Sequence, residues 1–386
     1  MKTAIVLFAP GFEESEALTV TDVLRRGVVD AKTIGTVPGL ITGAHGISIL
    51  PDGVVGESGE LPDLVVLPGG YDGVDALARS ADVLTLLRRM DGEGRLIGAI
   101  CAAPLALEAA GLLSGHRFTA YPGVEARIAS GEYRPEPIVR DGNLITACGP
   151  AFSYAFGYAL LDALDLDSGA VKRRMVYANS FDEAAMRYSA PECTEAAAAP
   201  RNQRIAVLMA EGFEEGETFT IVDILRRLGF SCDALYFDAP LVKGMHGMML
   251  RGDRPFEEDV IDYDLVILPG GRPGGDNLRG NPDVLEALRA MNAMPGKTLA
   301  AMCSGTTVLA AAGVIEGKRM TGYTGYAAKL PGAIFVDEVA VADQNLVTSQ
   351  GPATPFPFAF RIAERFGADT GCVRARMLYA QAGGRG

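Results

Sequence analysis

Two cysteines occupy positions where a thiol can do chemistry. Cys101 ends the apolar run Leu96-Ile97-Gly98-Ala99-Ile100, and the helix-forming stretch Ala102 to Gly111 begins at once; Cys303 ends Leu299-Ala300-Ala301-Met302 and is followed by Ser304-Gly305-Thr306-Thr307. A cysteine on a strand-to-helix turn has the nucleophile-elbow position. The unpaired N–H groups and positive dipole end of the helix favour a thiolate there. The expected consequence is a lowered thiol pKa and a reactive sulfur. A lone cysteine before a helix is ordinarily a small buried hydrophobe; two at equivalent turns among small residues argue for a nucleophile.

Two further elements accompany each thiol. Leu67-Pro68-Gly69-Gly70 and Leu268-Pro269-Gly270-Gly271 follow apolar runs. Paired glycines permit a turn whose amides face an anionic oxygen, and with the amide after the cysteine they can form an oxyanion hole. Gly11-Phe12-Glu13-Glu14-Ser15-Glu16 and Gly212-Phe213-Glu214-Glu215-Gly216-Glu217 each place three acids just past a first apolar run. A helix start accounts for acids of this kind, and the spacing does not single out one of them.

The elements that hold these residues come twice. Ala4 to Glu14 recurs as Ile205 to Glu215, Thr21-Asp22-Val23-Leu24-Arg25-Arg26 as Val222-Asp223-Ile224-Leu225-Arg226-Arg227, Gly149-Pro150-Ala151 as Gly351-Pro352-Ala353, and Arg174 to Ala178 as Arg376 to Ala380. The offset is 201 through the Gly-Gly pairs and 202 from the cysteines onward. A period this long marks a duplicated domain, since solenoid repeats run about 20–50 residues. The expected organisation is a first copy over 1–178, a linker over 179–203 holding Ala196-Ala197-Ala198-Ala199-Pro200, and a second copy over 204–386. Short apolar runs at 3–9, 63–67, 96–100 and 143–147, with counterparts at 204–209, 264–268, 298–302 and 345–349, read as buried strands. Helical patterns such as 16–26 and 104–113 alternate with them. The pattern predicts an α/β fold with mainly parallel sheets, whose ligands bind past the carboxyl ends of the strands.

Composition narrows the function. A net charge of −13 opposes a nucleic-acid surface. No run reaches the roughly 18 apolar residues of a membrane span, and Met1-Lys2-Thr3 leads straight into a strand rather than a signal peptide, so a cytoplasmic protein is expected. The six cysteines form no C-x-x-C pair and there are three histidines; free thiols and no metal are expected.

Taken together and in order, Gly-Phe-Glu-Glu-x-Glu, Leu-Pro-Gly-Gly, Ile100-Cys101-Ala102-Ala103-Pro104, Tyr121-Pro122-Gly123 and Gly149-Pro150-Ala151 resemble the ThiJ/PfpI superfamily, the family of the parkinsonism-associated protein deglycase, related to class I glutamine amidotransferases. The resemblance covers both copies almost end to end. It implies two tandem flavodoxin-like, three-layer α/β/α domains. It also implies an oxidation-sensitive cysteine paired with a protonated glutamate: Glu16 with Cys101 and Glu217 with Cys303. The oxyanion amides carry over to Gly70 with Ala102 and to Gly271 with Ser304.

This sequence departs from the family at the histidines. Members with hydrolase activity place one directly after the cysteine, where Ala102 and Ser304 stand here. The histidine that the animal glyoxalases use about 20 residues on is replaced by Tyr121 and Tyr323 neighbourhoods. A peptidase is therefore the least supported activity. Tyr121 and Tyr323 are candidate substrate hydroxyls, with packing over the helix the plainer account. His45 and His246 match between the copies and are candidates for the pocket mouth or for a hydrogen-bonded loop; His116 has no counterpart. Cys148, opposite Gln350, reads as a semi-buried spectator. The expected function is a cofactor-free, glyoxalase III-like or deglycase-like enzyme acting on small reactive carbonyls. A redox or stress-response protein with an oxidisable cysteine is the alternative, and a hydrolase or hydratase of a specialised metabolite a further one. The expected partner is a small carbonyl compound. Single-domain relatives commonly dimerise, so the resemblance also implies an internal pseudo-dimer.

Overall fold

The computed structural model describes residues 1–56, 59–193 and 200–385. The chain divides into two compact units. Unit one contains a seven-stranded sheet in the order Ile138–Asp141, Leu144–Ala147, Leu96–Ile100, Leu64–Leu67, Thr3–Phe8, Asp30–Gly35, Gly53–Val54. All neighbours are parallel except the Ile138–Asp141 edge pair. Unit two repeats the topology, from Arg254–Pro255 through Ser231–Tyr236, Arg204–Met209, Leu265–Leu268, Thr298–Met302 and Leu346–Ser349 to antiparallel Ala340–Asp343.

The apolar runs form strands because both sheet faces are covered. In Leu96–Ile100, Ile97 and Ala99 join a core with Val74, Leu77, Val83, Leu87 and Leu107 from the helices on one face. Gly98 points the other way, and a Cβ there would stand 3.0 Å from both Phe156 and Leu160 of helix Ser153–Ala163. The absent side chain lets that helix close on the sheet. Glu14–Arg26 packs on Ser153–Ala163, and in unit two Glu215–Arg227 packs on Pro355–Arg365.

Three strands of each sheet escape the apolar-run reading: Asp30–Gly35, Gly53–Val54 and Ile138–Asp141 in unit one, and Ser231–Tyr236, Arg254–Pro255 and Ala340–Asp343 in unit two. Asp30–Gly35 and Ser231–Tyr236 lie toward the sheet edge and alternate between buried and more exposed positions, so polar residues interrupt them. The helix read over 104–113 stops at Ala110, because Gly111 takes φ 77° and closes it with a left-handed cap.

The units do not coincide with the sequence repeats. Unit one comprises 1–174, the described part of 181–194, and 374–384; unit two comprises 175–180, the described part of 195–373, and Arg385. Within unit one, Met377 O accepts from the Ala151 amide at 2.9 Å; within unit two, Met175 O accepts from the Ala353 amide at 3.0 Å. Met175 and Met377 thus fill equivalent places, each in the unit built mainly from the other repeat.

The segment expected as a spacer is partly packed. Phe181 is buried against Tyr154 and Tyr379, Arg187 N–H donates to Gln381 O at 2.9 Å, and the Tyr188 and Tyr133 hydroxyls are hydrogen-bonded. The helical turn expected around 196–199 lies outside the described residues.

Candidate functional site

Cys101 sits at the carboxyl end of Leu96–Ile100 with φ 64°, and Cys303 at the end of Thr298–Met302 with φ 53°. A left-handed conformation costs a residue with a Cβ about 1–2 kcal/mol, and such strain gathers where a side chain must be aimed. Backbone bonds hold the turn: Cys101 N–H donates to Ala147 O at 2.8 Å, and Cys101 O accepts from Tyr121 N–H at 2.9 Å.

The structure sorts the three acids of each loop into three tasks. Glu13 caps helix Glu14–Arg26, accepting from Glu16 N–H at 2.7 Å; Glu214 caps Glu215–Arg227 through Glu217 N–H. Glu14, fully buried, accepts from the amides of His45 (2.6 Å) and Ile47 (3.4 Å) and lies 2.9 Å from His45 Nδ1. Glu215 does the same for the amides of His246 and Met248. The matched histidines therefore belong to a loop anchored on a buried carboxylate. His116 lies 3.5 Å from Asp141.

The third acid reaches the sulfur. Glu16 Oε2 accepts from the Gly69 amide at 2.7 Å, and Glu217 Oε2 from the Gly270 amide at 2.7 Å. The same carboxyl stands beside the cysteine: the gap at Gly69 is bounded by Glu16 Oε2 and Cys101, and that at Gly270 by Glu217 Oε2 and Cys303. A Cβ on Gly69 would stand 2.5 Å from Glu16 Oε2 and 2.8 Å from Cys101 Cβ; on Gly270, 2.6 Å from Glu217 Oε2 and 2.7 Å from Cys303 Cβ. The first glycine of each pair lets carboxyl and thiol meet. The second serves the loop: Gly70 has φ 90°, and a Cβ there would strike Gly11 O at 2.4 Å, while Gly271, at φ 112°, is blocked by Gly212 O at 2.3 Å.

The thiol pKa departs from the sequence expectation. Burial, then the Glu16 carboxylate, push the Cys101 thiol well above its ordinary value, and the Ala102 amide only partly offsets this. Cys303 behaves alike with Glu217 and the Ser304 amide. The helix end was expected to lower both; desolvation and a neighbouring acid outweigh it. Each carboxyl–thiol pair therefore keeps at least one proton, because two adjacent buried anions disfavour each other.

The remaining candidates fall in several places. Tyr121 Oη donates to Arg376 O at 3.0 Å, so its hydroxyl fastens the end segment of unit one. The Tyr323 ring packs edge-on against Tyr326 at 5.6 Å. Ser304 Oγ donates to Gly271 O at 3.1 Å, tying the cysteine turn to the glycine turn, which Ala102 has no hydroxyl to do. Cys148 is buried, which raises its pKa. Gln350 holds Asp337 at 2.9 Å and Asn179 at 2.6 Å. Cys193 and Cys372 are disulfide-bonded rather than free; Cys101, Cys148, Cys232 and Cys303 are free thiols. The residues directly after the second glycines, Tyr71 and Arg272, went unnoticed in the sequence. They differ between the copies, and a search for repeats passes over differences.

A paired cysteine and glutamate on a flavodoxin-like sheet define the class. The sequence profile of the DJ-1/PfpI family matches residues 2–163 and 203–365, and the chain belongs to that family. Protein DJ-1 homolog B of Arabidopsis thaliana is 30% identical over 381 residues, covering 95% of this chain and 85% of its own. A deglycase of Pyrococcus abyssi is 32% identical over 152 residues, 39% of this chain and 90% of its own. Among solved structures, a DJ-1 superfamily protein of Salmonella typhimurium, as a C103A mutant, is 34% identical with a TM-score of 0.45, covering 46% of this chain and 99% of its own. Among the described residues no helix is long and apolar enough to cross a membrane.

Proposed function

We propose that each carboxyl–thiol pair catalyses the cofactor-free conversion of small α-oxoaldehydes to α-hydroxy acids, as glyoxalase III-like and deglycase-like enzymes do. The observation that carries this reading is the Glu16 carboxyl, held by the Gly69 amide beside Cys101, and its copy at Glu217 and Cys303. The family and a relative named as a deglycase support it.

The sulfur attacks the aldehyde carbon, and the proton shared by the pair passes to the aldehyde oxygen, giving a hemithioacetal and a glutamate carboxylate. That carboxylate removes the proton on the hemithioacetal carbon and returns it to the adjacent carbon, while the former ketone oxygen takes up the hydroxyl proton. The product is a thioester of the α-hydroxy acid. Water cleaves it, restoring the thiol. No electron acceptor is needed, because one carbon is oxidised as its neighbour is reduced.

The test is lactate formation from methylglyoxal by purified protein without added thiol or metal. Cys101→Ala combined with Cys303→Ala is expected to abolish it. No turnover by the unmodified chain would overturn the reading.

A further inference from the structure

The two sites present different rims. In unit one the residue after the second glycine is Tyr71, largely exposed. Two cations, Arg127 and Arg376, act on Tyr71; Arg127 lies 3.7 Å from Asp75 and is thereby matched by an anion. In unit two Arg272 replaces Tyr71, Tyr326 replaces Val124 and Lys329 replaces Arg127. Asp276, the counterpart of Asp75, pairs with Arg279 of its own helix at 2.8 Å, as Asp75 does with Arg79 at 3.5 Å, and it also acts on Arg272.

Both cations of the second rim rest on one neutral ring. Arg272 donates to Tyr326 Oη at 3.4 Å, and Lys329 Nζ lies 3.8 Å above the Tyr326 ring. The ring stands edge-on to Tyr323 at 5.6 Å. Arg272 is also fixed from the backbone side, since Ser304 Oγ holds the carbonyl of Gly271, the peptide unit that leads into it. The Gly270-Gly271 turn that leads into Arg272 abuts the nucleophile, since a Cβ on Gly270 would stand 2.7 Å from Cys303 Cβ. An exposed cation directly after the glycine turn, with a second cation on the same tyrosine ring, attracts a substrate that carries an anion a few bonds from its carbonyl.

We infer that the second site, at Cys303, is specialised for carbonyl compounds bearing a carboxylate or phosphate, with Arg272 as the specificity-determining residue and Lys329 as its support, whereas the Cys101 site takes neutral carbonyls. The division rests on the reading of both cysteines as carbonyl nucleophiles, but anion preference is measurable without turnover.

Alkylation by iodoacetate and by iodoacetamide, followed by peptide mass at each cysteine of the full chain, reads it directly. The iodoacetate-to-iodoacetamide rate ratio is expected to be about fivefold higher at Cys303 than at Cys101, the scale of an exposed ion pair. Arg272→Gln should remove most of that difference, and inorganic phosphate should slow iodoacetate at Cys303 if the rim also receives phosphate; protection by acetate alone would restrict it to carboxylates. In the Cys101→Ala chain, the KM for γ,δ-dioxovalerate, an α-oxoaldehyde ending in a carboxylate, should rise about fivefold on Arg272→Gln while kcat holds. The KM for methylglyoxal, which carries no anion, should move much less than that for γ,δ-dioxovalerate. Equal alkylation ratios at the two cysteines, or ratios indifferent to Arg272→Gln, would overturn the inference even if both substrates turn over. Absence of turnover with the alkylation difference intact would instead sink the carbonyl chemistry and leave the anion rim standing.

Discussion

Burial and the neighbouring Glu16 carboxyl disfavour the Cys101 thiolate, and this sets the pH behaviour of the site. The thiol is raised above its ordinary value of 9.0, so the singly protonated pair survives through neutral and mildly alkaline pH. Activity should stay flat past the ordinary thiol pKa and change only at higher pH, where the last proton leaves the pair. A pH–kcat/KM profile that begins its rise near 9 would contradict this. Glu16→Gln in the Cys303→Ala chain removes the proton carrier and is expected to lower kcat by about 10²–10⁴, the usual contribution of general acid–base catalysis. The backbone at Cys101 gives a separate handle: at φ 64°, Cys101→Gly should be more stable than Cys101→Ala by about 1 kcal/mol in denaturant titration.

At the scale of elements, the site is a meeting of three strand ends through a gap one methyl wide. Gly69→Ala and Gly270→Ala place a carbon inside contact distance of both carboxyl and cysteine. The carboxyl is held by its own helix and cap, so the strain falls on the pair. Each substitution is expected to cost about 1–3 kcal/mol of stability and to suppress alkylation and turnover at its own cysteine only. Gly70→Ala acts elsewhere, on the loop carbonyl of Gly11, and should cost stability without that site selectivity. Measuring both cysteines in each variant separates the two outcomes.

At the scale of the molecule, the chain end at 374–384 completes the unit that contains Cys101. Ending the chain after Val373 removes the carbonyls that accept from Ala151 and Tyr121 together with buried Met377, Leu378 and Tyr379. Such a truncation should cost unit one at least about 3 kcal/mol and should impair Cys101 more than Cys303, read by alkylation of each. The buried thiols also predict sensitivity to alkali. Burial pushes Cys232 up to about 12 from 9.0. A folded-state pKa above the unfolded one means the contribution is whole below about 9 and is lost as pH rises from there towards 12. Cys232→Ala should flatten that part of the stability-against-pH curve, measured by denaturant midpoint.

Much of this was legible before any coordinates. The repeat, the buried strands and the two cysteine elbows are written as apolar runs broken by Gly, Pro and Cys, because a strand covered on both faces tolerates little else. Asp30–Gly35 was missed because a strand near the edge keeps polar residues. The choice of Glu16 over Glu13 and Glu14 came from family resemblance; three acids within four positions look alike in sequence, and their tasks separate only when strand ends from distant parts of the chain converge. The thiol pKa was misread for the same reason, since a helix end is local and visible while burial beside a carboxyl is not. What the amino-acid sequence by itself determined is that two matched thiol sites exist. Only the tertiary structure decided what surrounds each one, down to which repeat supplies the end segment, because identical Arg-Met ends fit either unit and chain connectivity alone does not choose between them.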